Sequence, residues 1–146
     1  MTFIGTSRLY RPEPSSIGVG EQWGRASAEA VRTSGSLVIS IRGEVDASNA
    51  AQLVAYVERH AAIAGTLVVD TSAVDFFGPP ALAALHKIDL CCSGGDVHWR
   101  LVVGPALRRV MRVCGTGDLP RAESVESAVG QLVPSGDQPR LASATS

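Results

Sequence analysis

Apolar residues along the middle of the chain recur in two rhythms that take turns. Leu37-Val38-Ile39-Ser40-Ile41-Arg42 is a β-branched run, preceded by the turn residues Ser34-Gly35-Ser36 and by a weaker alternation over residues 28–32. This spacing predicts a hairpin whose second strand is central. Residues 43–49 break the pattern, and from there Ala50, Leu53, Val54, Val57 and Ala61 follow the repeat of an amphipathic helix. Gly65 ends that helix, and Leu67-Val68-Val69 reads as a strand covered on at least one face. Ala81, Ala84, Leu85 and Ile88 mark a second helix, closed by Ser93-Gly94-Gly95. Trp99-Arg100-Leu101-Val102-Val103 is a further strand, and Pro105 opens a third helix with Leu107, Val110, Met111 and Cys114 on one face. Gly115-Thr116-Gly117 stops it; a short extended piece at residues 121–122 and a helix through Val125, Ala128, Val129 and Leu132 complete the unit. Strands alternating with helices predict an α/β fold, a mixed central sheet covered by about four α-helices.

Neither rhythm reaches the two ends. Residues 1–25 scatter Pro12, Pro14, Gly18, Gly20 and Gly24 among isolated Phe3, Tyr10 and Trp23, and residues 134–146 are mostly Pro, Gly, Ser and Ala. Each is expected to be a flexible arm, flanking a single domain at residues 26–133. A chain of 146 residues with 45% apolar content is large enough to bury a core without staples. Thirteen basic against 14 acidic side chains leave a net charge of −1, so no overall field attracts nucleic acid or an anionic membrane, and direct DNA binding is not expected. No apolar run approaches the roughly 20 residues of a bilayer span. The opening Met1-Thr2-Phe3-Ile4-Gly5-Thr6 also lacks the basic-then-apolar form of a secretion signal. A cytoplasmic location with reduced thiols is the expectation, because the 3 cysteines include no Cys-x-x-Cys pair.

Three segments then line up in order: Gly43-Glu44-Val45-Asp46 between a strand and a helix, Leu67-Val68-Val69-Asp70 as a buried strand, and Val74-Asp75-Phe76-Phe77-Gly78-Pro79-Pro80-Ala81-Leu82 running into a helix. This order resembles the STAS domain family of bacterial anti-sigma factor antagonists and of the cytoplasmic domains of sulphate transporters. The transporter branch is set aside because the chain carries no membrane span. In the family, a glycine is followed three residues later by aspartate, and a second signature runs Phe, an apolar residue, Asp-Ser-Ser/Thr-Gly-Leu into a helix. The resemblance implies a domain that binds an anti-sigma factor, itself a serine kinase of the ATPase class. Phosphate on the signature serine breaks that complex by adding nearly two negative charges to the interface.

The chain departs from that pattern where the switch would sit. Aligned through Phe76 and Leu82, the family's Asp-Ser-Ser-Gly becomes Gly78-Pro79-Pro80-Ala81, so Pro79 and Pro80 occupy both hydroxyl positions. Proline has no hydroxyl to carry phosphate, and two N–H donors are removed from a helix start that could otherwise hold an anion. Pro80 is expected to be the first helical residue. The resemblance makes Asp46, Asp75, Phe77, Gly78, Pro79, Pro80, Ala81 and Leu82 the partner-binding candidates, with Phe77 and the two prolines as apolar anchors and Phe76 in the core. Asp46 and Ser48 are also rival caps for the following helix.

Other chemistry is thinner. A phosphoaspartate receiver built on Asp70 and Asp75 lacks its acidic pair and its lysine, since the only lysine, Lys87, lies mid-helix. Cys114 is expected to be buried on its helix; a redox link between it and Cys91 or Cys92 is the remaining covalent switch in view. His60, His86 and His98 fall in separate elements, so no metal site is expected, and no cofactor loop or nucleophile–base pair marks an enzyme. Arg108, Arg109 and Arg112, with Arg100 near their base, form a basic face that is either solvated or a patch for an acidic partner or a nucleotide. The leading expectation is an antagonist-like binding protein without its phosphoacceptor, acting on an anti-sigma factor. Its alternatives are a STAS scaffold that associates with itself or other STAS proteins, and a small-ligand or nucleotide sensor.

Overall fold

Leu37, Ile39 and Ile41 point to one apolar layer while Val38, between them, points to another. A strand that alternates between two buried layers lies inside a sheet covered on both faces. In the computed structural model, which describes residues 20–115 and 117–132, this strand is β3 (Ser36–Val45). Before it come β1 (Gly20–Trp23) and β2 (Ala26–Thr33); after it come α1 (Ala50–Ala64), β4 (Thr66–Phe77), a 3-10 turn (Pro79–Ala81) and α2 (Leu82–Gly94). Then follow β5 (His98–Val102), α3 (Pro105–Cys114), β6 (Arg121–Ala122) and α4 (Val125–Leu132). The six strands lie in sequence order, β1-β2-β3-β4-β5-β6. The pairs β1–β2 and β2–β3 are antiparallel, and β3 to β6 run parallel. The sheet is therefore mixed, as the alternation of elements predicts.

The β2–β3 hairpin closes through Ser34 and Gly35, both at positive φ (49° and 87°), the two-residue turn that matches the twist of its flanking strands. Helices α1, α2 and α3 pack on the face carrying Leu37, Ile39, Leu67, Val69 and Leu101. Among the described residues, helix α4 covers Val38, Val68 and Val102 on the other face. Val68 is thus buried from behind and Val69 from in front, which makes β4 a strand covered on both sides.

The arms expected at residues 1–25 and 134–146 lie largely outside the described residues, with one correction inside them. Residues 20–23 are strand, paired from Gly20↔Glu29 to Trp23↔Ala26. Trp23 is 4% exposed and meets Tyr56 of α1 edge-on at 5.6 Å between ring centroids. Its indole N–H donates to Glu21 at 2.7 Å. A single anchoring aromatic and a backbone ladder order this edge strand, and neither produces an apolar rhythm.

Strand β4 is longer than its apolar run because it is bulged twice. Its pairing with β3 shifts between Ser40↔Asp70 and Arg42↔Ala73, and again between Gly43↔Val74 and Glu44↔Phe76. Each extra residue turns the strand over. Two of them return Phe77 to the face of Leu67 and leave Phe76 outside.

Candidate functional site

The candidate site forms where β3 and β4 end side by side. Gly43, at φ 89°, brings the end of β3 against the preceding hairpin; a Cβ there would stand 2.0 Å from the carbonyl oxygen of Arg25. Only glycine fits, which is a physical reason for a glycine three residues ahead of Asp46. The chain then turns through residues 46–49 into α1. Neither sequence candidate caps that helix. Asn49 occupies the cap position, buried at 3% exposure. Its Nδ2 donates to the carbonyls of Trp23 (3.2 Å) and Glu44 (2.9 Å), while its Oδ1 accepts the N–H of Asp46 at 3.0 Å. This one side chain joins β1, β3 and the site loop.

Asp46 is left facing outward and structured by Ser48. Its Oδ1 accepts the Ser48 hydroxyl at 2.6 Å and the Ser48 N–H at 2.9 Å. Those two hydrogen bonds hold the carboxyl below the ordinary aspartate range. Gly78, one residue beyond β4, donates its N–H to the carbonyl of Val45 at 2.8 Å, which closes the two strand ends together. A Cβ on Gly78 would lie 3.4 Å from the Phe76 ring and 3.5 Å from the Asp46 Cβ, so ring and aspartate both sit against this glycine.

The two prolines do not begin the α-helix directly. Pro79 and Pro80 take the first positions of the 3-10 turn, closed by Ala81 N–H to Gly78 O at 2.9 Å, and α2 starts at Leu82. Missing N–H groups are harmless there, because a first helical turn has no partners for them.

Of the expected partner-binding residues, the structure brings Asp46, Gly78, Pro79 and Pro80 to one place, with Asp75 exposed near the end of β4. Phe77 is a correction: it is 1% exposed and belongs to the core, whereas Phe76 is 50% exposed. Ala81 and Leu82 are also buried, beneath the turn. Phe76 is the surface residue missed in the sequence; continuing the odd-numbered parity of Leu67 and Val69 to Phe77 would have found it. Cys114 is a second correction, since the apolar face of α3 ends at Met111 and residues 112–114 are exposed throughout. Cys92 is buried instead, and burial pushes its thiol up to about 12, while Cys91 is intermediate; all three are free. Among the described residues, no group of three or more His, Cys, Asp or Glu side chains could hold a metal ion, and no helix is long and apolar enough to cross a membrane.

A family model described as "Mlab, STAS domain" matches residues 29–128. The chain belongs to the STAS domain family. A curated relative, osmosensory protein A of Mycobacterium tuberculosis, is 32% identical over 108 residues, covering 70% of this STAS chain and 68% of the relative. An anti-sigma factor antagonist from Mycobacterium paratuberculosis superposes with a TM-score of 0.65 at 26% identity, over 75% of this chain and 95% of that one. The anti-sigma factor antagonist SpoIIAA in its unphosphorylated form superposes at 0.55, with 16% identity over 68% and 89% of the two chains, and shows the shared fold. This STAS domain therefore has the architecture of an anti-sigma factor antagonist.

Proposed function

We propose that this STAS domain is a cytoplasmic, non-enzymatic regulator of the antagonist type, which docks on an anti-sigma factor of the ATPase and serine-kinase class and so modulates sigma-factor-dependent transcription. One observation carries the reading. An exposed phenyl ring, Phe76, and Asp46 both sit against Gly78, next to the exposed Pro79 and Pro80, on two strand ends locked by the Gly78–Val45 hydrogen bond. A rigid apolar anchor next to a charge is the kind of surface on which protein partners concentrate binding energy. Likeness to a solved antagonist supports this class of partner. A relative named for osmosensing supports a stress-linked input. Because neither Pro79 nor Pro80 carries a hydroxyl, the complex is not dissolved by phosphate at those positions; abundance or another signal regulates it.

The experiment is titration calorimetry and pull-down against each anti-sigma factor of the source organism. One-to-one capture of an ATPase-type anti-sigma factor is expected, weakened at least about tenfold by Phe76→Ser and measurably by Asp46→Ala, with the circular dichroism of both variants unchanged. Recovery of only this chain or of other STAS proteins would replace the reading with a scaffold.

A further inference from the structure

Strand β6 is two residues long and closes the sheet: it pairs with β5, and among the described residues no strand pairs with its outer edge. Its register puts Arg121 opposite Leu101 and Ala122 opposite Val102. Leu101 belongs to the layer under α1, α2 and α3, and Val102 to the layer under α4, so Arg121 shares the α3 face of the sheet. The Leu101 N–H donates to the carbonyl of Pro120 at 2.8 Å. In a parallel ladder this turns the N–H and C=O of Arg121, the next residue, away from β5 and towards the open edge. One residue therefore presents a guanidinium on the α3 side and a backbone donor and acceptor along the edge.

The α3 side of this edge is basic. A crevice of about 540 Å³ lies there, with Arg108, Arg112, Arg121 and Glu123 as its charged lining and Val103 and Met111 as an apolar wall. Arg108 and Arg112 are four residues apart on α3 and so stand one above the other on one face. Three guanidinium groups against one carboxylate leave the charged lining at +2, in a chain whose net charge is −1. Among the described residues the ion pairs are Arg25–Glu44 and Arg59–Glu21, so none of the three crevice arginines is neutralised by one. Arg108 donates one N–H to the carbonyl of Val103 at 3.2 Å, which ties its guanidinium to the end of β5. Arg109, on the same helix, is exposed outside the crevice.

We propose that the β6 edge and this crevice form a docking site for an extended acidic segment of a protein partner, with two carboxylates at alternate positions and an apolar residue at the next alternate position. A segment laid along β6 meets the outward N–H and C=O of Arg121, as in strand addition at a sheet edge. Every second residue of such a segment faces the same side. Two carboxylates two residues apart therefore both reach the arginines, and two adjacent ones do not. Two negative charges match the +2 lining, and guanidinium forks take carboxylates in a bidentate manner. Glu123 repels a third carboxylate, while Val103 and Met111 receive the apolar side chain. Because β6 offers one outward-facing residue, its backbone sets the register of the segment and the arginines supply most of the affinity. The site shares no residue with the Asp46–Phe76 surface and does not depend on docking there.

The test is a ¹H–¹⁵N titration of the full chain with two end-blocked heptapeptides of one composition, Thr-Glu-Thr-Glu-Thr-Leu-Thr and Thr-Thr-Glu-Glu-Thr-Leu-Thr. With the first, saturable shifts at the amides of residues 108–112 and 121–123 are expected, together with slower hydrogen exchange at the Arg121 amide. The second, which turns one glutamate to the wrong side, should bind about tenfold more weakly. Arg112→Gln and Arg121→Gln should each weaken the first peptide about tenfold, and Arg109→Gln should leave its binding unchanged. Absence of saturable shifts with the first peptide overturns the proposal, as does equal binding of the two peptides or an equal loss in Arg109→Gln. Saturable binding of inorganic phosphate with neither peptide would make the crevice a small-anion site, and shifts that grow with protein concentration alone would seat a second copy of the chain there; either result overturns the proposal too.

Discussion

The Thr71 hydroxyl donates to the carbonyl of Val102 at 2.7 Å, and the same oxygen accepts the N–H of Gly104 at 3.1 Å. One side chain from β4 thereby satisfies both backbone groups at the point where β5 gives way to α3. Thr71 is 1% exposed, so neither group has water as an alternative. Thr71→Val keeps the shape and removes the bonds; an expected loss of about 1–3 kcal/mol should appear in urea unfolding. Thr71→Ser, which keeps the hydroxyl, should lose clearly less. Equal stability of the valine variant and the parent would remove this role from Thr71.

Two glycines with nearly the same backbone make a controlled pair. Gly43 and Gly65 have φ of 89° and 80°, but an added Cβ meets the Arg25 carbonyl oxygen at 2.0 Å in the first and nothing within 4 Å in the second. Gly65→Ala should therefore carry only the conformational penalty, about 1–3 kcal/mol. Gly43→Ala adds a backbone clash that displaces the β1–β2 hairpin, and a loss above about 3 kcal/mol is expected, with the site loop disturbed as well. Thermal melts of both variants in one buffer decide the comparison.

Adjacent phenylalanines should separate stability from binding. Phe77→Ala empties a fully buried position and should destabilise by about 3–5 kcal/mol. Phe76→Ala removes a half-exposed ring and should change stability by no more than about 0.5–1 kcal/mol, yet abolish most partner capture. If Phe76→Ala bound the anti-sigma factor as the parent does, the docking surface would lie elsewhere.

The contrast between these two residues also marks what the sequence made readable. The helices were plain because each buries a stripe of residues three and four apart, as Leu53, Val57 and Ala61 do in α1. The β2–β3 hairpin was plain because Ser34-Gly35 sits between two runs of strand formers. Less visible was everything held by a single long-range contact. Strand β1 depends on pairing with β2 and on Trp23 against Tyr56, and the α1 cap depends on Asn49 reaching Trp23 and Glu44, two partners in separate elements. The family pattern gave Phe76 to the core and Phe77 to the surface, the reverse of the structure; the two β3–β4 bulges cancel in parity, so the alternation of Leu67 and Val69 continued to Phe77 points the right ring inward.

His60 supplies a pH dependence with a defined sign. It is 7% exposed, its Nδ1 lies 2.8 Å from the Tyr56 carbonyl, and its ring meets that of Tyr56 at a 39° tilt with 4.3 Å between centroids. Burial holds its pKa below the ordinary 6.5, with the charge of Arg59 acting in the same direction and the Tyr56 carbonyl and Glu21 opposing them. The unfolded chain therefore binds the proton more readily than the fold does, so the stability contributed by a neutral His60 is complete above about pH 6.5 and declines as pH falls towards the lowered folded value. His60→Leu should flatten the stability profile between about pH 6.5 and 5, where Asp46, whose carboxyl titrates below the ordinary aspartate range, contributes no slope. An unchanged profile in that window would assign the acid sensitivity to another group.

Replacing Pro79 and Pro80 by serine tests whether this surface is an antagonist surface that lacks only its covalent control. Both prolines are exposed, and their turn is closed by the Ala81 N–H, which the replacement leaves in place. Serine accepts the φ values of a first helical turn, so the fold should be retained with a change of about 1 kcal/mol or less from the greater freedom of the unfolded chain. With a cognate kinase-type anti-sigma factor and ATP, the parent should stay unmodified at this loop. The Ser-Ser variant should gain one phosphate by intact mass and then release the partner, because a dianion would be placed beside the Asp46 carboxylate. Phosphorylation of the parent at another residue, with release of the partner, would show that the switch has moved rather than been lost; Ser48, exposed and hydrogen-bonded to Asp46, is the first position to map.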